Sequence, residues 1–153
     1  MSGQPEATPR SYMSVDDADA YFADTLQGMS WPDYSDQDKQ RALNSATDTI
    51  DNLAYYGTAL TEAHAFPRSN ELEVPSRVKR ACAEEAMALL KGVDPVTEAE
   101  SVRRKSHGIA SVRTSFDTDI VLTNYQAGFA SRLAFELVKC YLADPSEIYF
   151  DRV

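Results

Sequence analysis

Residues 75–92 read PSRVKRACAEEAMALLKG. Val78, Ala81, Cys82, Glu85, Ala86 and Leu89 recur at the i, i+3, i+4 spacing of one helical face. Most of these residues are small, so the stretch predicts a helix that approaches a neighbour closely. Arg80 and Glu84 are spaced to pair at i, i+4. Pro75 or Ser76 opens the helix, Lys91 complements its last turn and Gly92 supplies a C-terminal stop.

Working back toward the N-terminus, two segments share one kind of start. Ser14 precedes Asp16 and Asp17, and Ala18, Tyr21, Phe22 and Thr25 then follow helical spacing with Leu26 beside them. A serine cap followed by early carboxylates marks a helix N-terminus. Gly28 ends the run, and Trp31-Pro32 reads as a loop in which the single tryptophan anchors two helices. Ser35 with Asp38 repeats the start signal, and Leu43, Ala46, Ile50 and Leu53 form the next stripe. Gly57 stops that helix after about 20 residues, roughly 30 Å. A loop over 58–74 has weak helical character at 60–65 and contains Phe66-Pro67-Arg68. Pro67 fixes its own φ and pushes Phe66 toward an extended conformation. Phe66 is thereby expected to plug the core, with Arg68 aimed at a carboxylate.

Beyond residue 92 the pattern changes. Residues 94–100 read as a polar connector. Val112, Thr114 and Phe116 alternate with polar residues, which predicts a two-stranded hairpin at 102–116 turning near His107-Gly108. Such a hairpin is marginal alone and needs packing or another subunit. A last helix is expected over 125–142, with Phe129, Leu133, Leu137, Cys140 and Tyr141 as its stripe and Ala130, Ala134 and Val138 beside it. Asp144-Pro145 ends it. The apolar tail Ile148-Tyr149-Phe150 either folds back or inserts into a partner. The fold expected is mainly α: a small bundle of four to five helices with one protruding β-hairpin. Residues 1–11 form a disordered arm, 12–143 the helical domain and 144–153 the tail. One domain accounts for 153 residues.

The chemistry-bearing residues are sparse. His64 and His107 are isolated, and Cys82 and Cys140 lie on helical patterns with no ligand-spaced neighbour, so buried free thiols are expected rather than a metal site. No P-loop, dinucleotide fingerprint or nucleophile elbow is present. A non-enzymatic protein without cofactor or metal is expected. No apolar run reaches the length of a membrane span, and the polar N-terminus lacks a signal peptide's apolar stretch, so an intracellular protein is expected. The net charge of −9 is uneven: residues 1–75 carry 4 basic and 13 acidic side chains, residues 76–153 carry 11 of each. The acidic half does not favour non-specific nucleic-acid binding. The one basic patch is Arg103-Arg104-Lys105, with Arg113 facing it across the expected hairpin, and no acidic residue lies between Ser101 and Phe116. Only Phe116 is near enough to interleave as a stacking aromatic. The patch therefore suits phosphates or another subunit's acidic half.

Several of these residues carry a family resemblance. They are residues 14–22 (SVDDADAYF), Trp31, Ala42-Leu43, Ala46-Thr47, Ile50-Asp51, Tyr56-Gly57, Phe66-Pro67-Arg68, Pro75, Val78, Ala81 and Glu84. On them the chain resembles phage head-to-tail adaptor (connector) proteins. It is also similar to sequences labelled primosomal, DnaT-like single-strand DNA-binding proteins. The resemblance covers roughly 12–92; where the family often has a tryptophan near Tyr55-Tyr56, this chain has tyrosine. It implies a helical bundle with a hairpin, assembled as a homo-oligomeric, dodecameric ring under the portal protein of the virion after synthesis in the host cytoplasm. Such a ring docks tail or tail-terminator (nozzle) proteins and passes genomic DNA without specific binding. Under that reading Arg103, Arg104, Lys105 and Arg113 contact subunits or tail proteins, and Ile148, Tyr149 and Phe150 attach the portal. Phe66, Pro67 and Arg68 position their loop, Arg68 through an ion pair. The alternatives are a single-stranded DNA-binding module and a small helical regulatory dimer.

Overall fold

A computed structural model describes residues 9–69, 71–110 and 124–143, with backbone alone over 106–110. The chain is mainly helical. In order, α1 spans Val15–Ala23, single 3-10 turns span Leu26–Gly28 and Trp31–Asp33, and α2 spans Asp36–Asp51. Then come α3 (Ser76–Leu90), α4 (Pro95–Ala110), α5 (Arg132–Val138) and a closing 3-10 turn, Lys139–Tyr141. α3 is central. It packs on α2 along one side and on α5 along the other, while α1 covers α2.

The serine caps form as the sequence implies. Ser14 Oγ accepts the Asp17 N–H at 3.1 Å and Ser35 Oγ accepts the Asp38 N–H at 3.2 Å. Each bond satisfies one of the N–H groups a helix start leaves without an intrahelical partner. The end of α3 is equally local: Gly92, at φ +84, donates to the Leu89 carbonyl, and Val93 donates to that of Ala88. This pair of bonds is the Schellman arrangement, which needs a residue tolerant of positive φ.

Core burial follows the small-residue face of α3. Val78, Ala81, Cys82, Ala83 and Ala86 are fully buried, with Leu43, Ala46 and Ile50 of α2 opposite. Burial pushes the Cys82 thiol up to about 11, so it packs as a small apolar group. Trp31, 1 % exposed, sits between α1 and α2 with its ring 4.6 Å from that of Phe22. Its indole N–H donates to Asp19 at 2.6 Å. Gly28 lies so close to α1 that an added Cβ would stand 2.7 Å from the Phe22 Cα and closer still to its Cβ and carbonyl oxygen.

Several expectations change. The hairpin expected from residue 102 is helix as far as residue 110, and 111–116 lie outside the described residues. The cause is a helix start read as a connector. Asp94 Oδ1 accepts the Val96 N–H at 3.1 Å and Oδ2 the Thr97 hydroxyl at 2.7 Å. Pro95 fills the first position, where a missing N–H costs nothing. Among the described residues no strand forms; the bridges Tyr55↔Leu142 and Ala59↔Arg68 are isolated. α2 stops at Asp51 rather than near Gly57, giving 16 residues and about 24 Å. Leu26 is 86 % exposed, because α1 ends at Ala23 and the following 3-10 turn breaks the helical phase. Glu84 accepts the Tyr21 hydroxyl at 2.7 Å instead of pairing with Arg80.

The last helix is shorter than the expected 125–142. A turn closes on Asn124, whose carbonyl accepts the Phe129 N–H at 2.8 Å, and Ser131 then caps α5. Ala134, Phe135, Leu137 and Val138 face the core, while Leu133 is 39 % exposed and Cys140 is exposed. Glu85 fixes this register. Fully buried on α3, its carboxylate accepts the N–H groups of Ala130 and Ser131, each at 2.8 Å. Burial raises the Glu85 carboxyl above its usual value, and the two amides oppose that rise.

Two stability outcomes follow from this packing. Gly28→Ala should cost about 1–3 kcal/mol as overpacking, lowering the thermal midpoint by roughly 2–12 °C. A carboxyl raised on folding contributes stability at low pH that fades as pH climbs from the ordinary carboxyl value of 4.5 through the folded-state value. The stability difference between wild type and Glu85→Gln, from urea midpoints, should therefore shrink as pH rises from 4 to 7. A difference that widens with pH would show that Glu85 is bound as a favoured anion.

Candidate functional site

Two regions carry groups able to meet a ligand. The first is the far half of α4. Over 95–105 the helix has no buried residue. Arg103, Arg104 and Lys105 occupy consecutive exposed positions, fanning across about 200° of the helix surface. Arg104 makes a loose ion pair with Glu100, 3.8 Å apart, both side chains mostly in solvent. Such a pair contributes little and can exchange for an external anion. Arg113, expected opposite this patch, and Ile148, Tyr149 and Phe150 of the tail lie outside the described residues.

The second region surrounds Phe66-Pro67-Arg68. Phe66 is 1 % exposed and its ring meets those of Tyr12, Tyr55 and Tyr141 edge-on. The Phe66-Pro67 bond is cis. Asp51, at the end of α2, ties the loop down: it accepts the Tyr12 hydroxyl, the Ala65 N–H at 3.0 Å and a contact from His64 Nδ1 at 2.9 Å. Tyr12 OH in turn accepts the Phe66 N–H at 3.1 Å. Burial pushes the Tyr12 phenol well above its ordinary range, and the bond to Asp51 adds to this. His64 Nε2 lies 2.7 Å from the Pro9 carbonyl, and Arg10 pairs with Asp48 at 2.8 Å. Of the arm expected over 1–11, the described part is thus held against α2. Asp48 is lowered chiefly by the hydrogen bond from Arg10.

Arg68 departs from its expected role. The sequence points it at a carboxylate; the guanidinium instead donates to the carbonyls of Tyr56 (2.6 Å), Ala65 (2.9 Å), Gly57 (2.6 Å) and Tyr55 (3.3 Å). The chain folds back over 55–57, leaving carbonyls without ladder partners, and the five-donor fork of arginine satisfies several at once. Glu71 bonds the Arg68 backbone N–H at 2.9 Å rather than the side chain.

Around this fork lies a cavity of about 220 Å³ lined by Tyr56, Gly57, Arg68, Ser69, Glu71, Cys140 and Tyr141. Tyr55 and Leu142 are bridged antiparallel and the Tyr56 N–H donates to the Tyr141 carbonyl at 3.0 Å. Sequence reading passes over this cavity, since its walls are far apart in the chain. A second cavity, about 310 Å³, lies between α1 and α2 beside Trp31, Asp19 and Lys39. There, burial pushes the Asp19 carboxyl up, but bonds from Lys39 and Trp31 outweigh it and hold the group below its usual range. Among the described residues, no group of three or more His, Cys, Asp or Glu is placed to hold a metal, and no helix is long and apolar enough to cross a membrane.

With this geometry in hand, comparison with known proteins assigns the family. The chain belongs to the family described as "Putative DnaT-like ssDNA binding protein", which matches residues 2–144. No curated protein and no solved structure matches it.

Arg68→Met should remove the carbonyl bonds and cost about 1–3 kcal/mol, read from denaturant midpoints. Arg68→Lys should recover little, because an ammonium cannot span four carbonyls in a plane.

Proposed function

We propose that the chain binds single-stranded DNA, with the far half of α4 as its phosphate-contacting element. The observation that carries this reading is the exposure of Arg103, Arg104 and Lys105 on a helix with no buried residue over 95–105, in a chain of the family named for such binding. Phosphate contact needs cations that can approach a strand without dismantling a core, and these three meet that condition. The net charge of −9 opposes association at long range, so binding is modest and strongly salt-dependent.

A second reading, a structural adaptor at a phage head-to-tail junction, draws on a different observation. Leu26, Met29, Leu72 and Val96 are 86, 79, 104 and 67 % exposed, more large apolar surface than solvation favours and suited to protein contacts. Here the same cations of α4 meet an acidic neighbour in a ring, the segment Ile148-Tyr149-Phe150 engages a portal, and the virion is the location.

The two separate in one titration. For three phosphate contacts on a single strand, the affinity should fall with a log–log salt slope of about −2. Arg103→Gln, Arg104→Gln and Lys105→Gln combined should flatten that slope. Flat binding by the wild type at low salt, with coaxial rings on a portal protein seen by negative stain, would overturn the DNA reading in favour of the adaptor.

A further inference from the structure

The basic half of α4 explains contact with phosphates, yet it has no aromatic group on its described side chains. Single-strand binders pair a cationic track with aromatic faces on which bases stack. The cavity of about 220 Å³ beside Arg68 is lined by such groups: Tyr56, 51 % exposed, and Tyr141, half-buried, whose backbones pair through the Tyr56 N–H and the Tyr141 carbonyl. We infer that this cavity is a nucleobase-stacking site, a conclusion that rests on the single-stranded DNA reading and assigns where the bases go.

Four features make the fit. Tyr141 is braced edge-on by Phe66 at 5.3 Å, and Arg68, which lines the cavity, is locked by four carbonyls. Both are held before a ligand arrives, which limits the ordering cost of binding. The volume falls below the roughly 300–1,000 Å³ of cavities that enclose drug-sized ligands and suits one planar ring. Glu71 supplies a carboxylate at the rim, an acceptor for the exocyclic amine of adenine or cytosine that thymine lacks. Arg77, whose Nε donates to the Leu137 carbonyl at 3.3 Å and whose charge acts on the Tyr141 phenol, places positive charge near the cavity for the attached phosphates. Burial raises the Tyr141 phenol, so it stays a neutral donor.

Arg77 lies in the first turn of α3, and α4 follows its last. Between Arg77 and α4 runs the 15-residue α3, about 22 Å of helix. A stacked strand advances ~3.4 Å per nucleotide, so a decamer spans roughly 34 Å, longer than α3.

The test is fluorescence anisotropy at low salt with the full chain and four decamers: dA10, dC10, dT10 and an abasic sugar-phosphate of equal charge. Wild type should bind dA10 and dC10 roughly 5- to 100-fold more tightly than the abasic strand, with dT10 between. Tyr56→Ala should reduce dA10 to the abasic level, leave abasic binding unchanged, and be rescued by Tyr56→Phe. If Tyr56→Ala binds dA10 like wild type, while the combined α4 substitutions weaken every strand, the stacking site is wrong and the DNA reading stands. Tightest binding of dT10 would overturn the role of Glu71. If wild type retains no decamer, the DNA reading itself fails.

Discussion

The Asp51 carboxylate is the constraint on which the rest of the structure depends. It closes the end of α2 by taking the Tyr12 hydroxyl and the Ala65 N–H, with His64 against its second oxygen. Those bonds set Phe66 into the core between the rings of Tyr12, Tyr55 and Tyr141. One aromatic ring thereby joins the N-terminal segment, the end of α2, the 58–69 loop and the C-terminal 3-10 turn. Burying that ring contributes about 1.5–3 kcal/mol, but the geometric consequence is larger. With Tyr55 turned inward to meet Phe66, the next residue turns outward, and Tyr56 arrives at the surface opposite Tyr141.

Glu85 plays the corresponding part at the other seam. A buried anion is a weak source of net stability, since desolvation consumes much of what its hydrogen bonds return. Its value here is register. Two adjacent amides, those of Ala130 and Ser131, must meet both carboxylate oxygens at once. A shift of α5 by one residue leaves an amide unpaired and a charge under-coordinated in the core. The apolar contacts of Ala134, Phe135 and Val138 could accommodate several arrangements; the carboxylate selects one.

Where a signal is local, the sequence shows it. Ser14, Ser35 and Gly92 act within a few residues of themselves, and each marks its helix end correctly. Where two local signals compete, it misleads. A hairpin is expected from residue 102 on the alternation of Val112, Thr114 and Phe116, which lie outside the described residues, but Asp94-Pro95 starts a helix that Glu100 and Arg104 support at i, i+4 and that runs through residue 110. Leu26 and Leu133 fail for a related reason: a helical stripe extrapolates phase, and the end of α1 and the late cap at Ser131 each break it. The candidate site divides in the same way. The exposed cations of α4 are visible as a run of three residues. The Tyr56–Tyr141 cavity is not, because its walls meet only through a bridge between residues far apart in the chain. Neither are the carbonyl partners of Arg68, since a sequence displays carboxylates and hides carbonyls.

The charge distribution then constrains how a strand can lie. The exposed carboxylates of Asp16, Asp17, Asp24, Asp33, Asp36 and Asp38 gather on α1, the Trp31 turn and the first turn of α2. That edge repels phosphate. Arg77 lies in the first turn of α3 and the exposed cations of α4 lie at 103–105, while Arg80, exposed on α3, faces Tyr21 of α1. Under the proposed single-stranded DNA reading, a strand meets the cations of α4 and is turned away from this acidic edge. Under that reading an overall negative charge and local contact with a polyanion are compatible: the acidic edge limits non-specific contact, and the exposed cations of α4 carry the contact that is made.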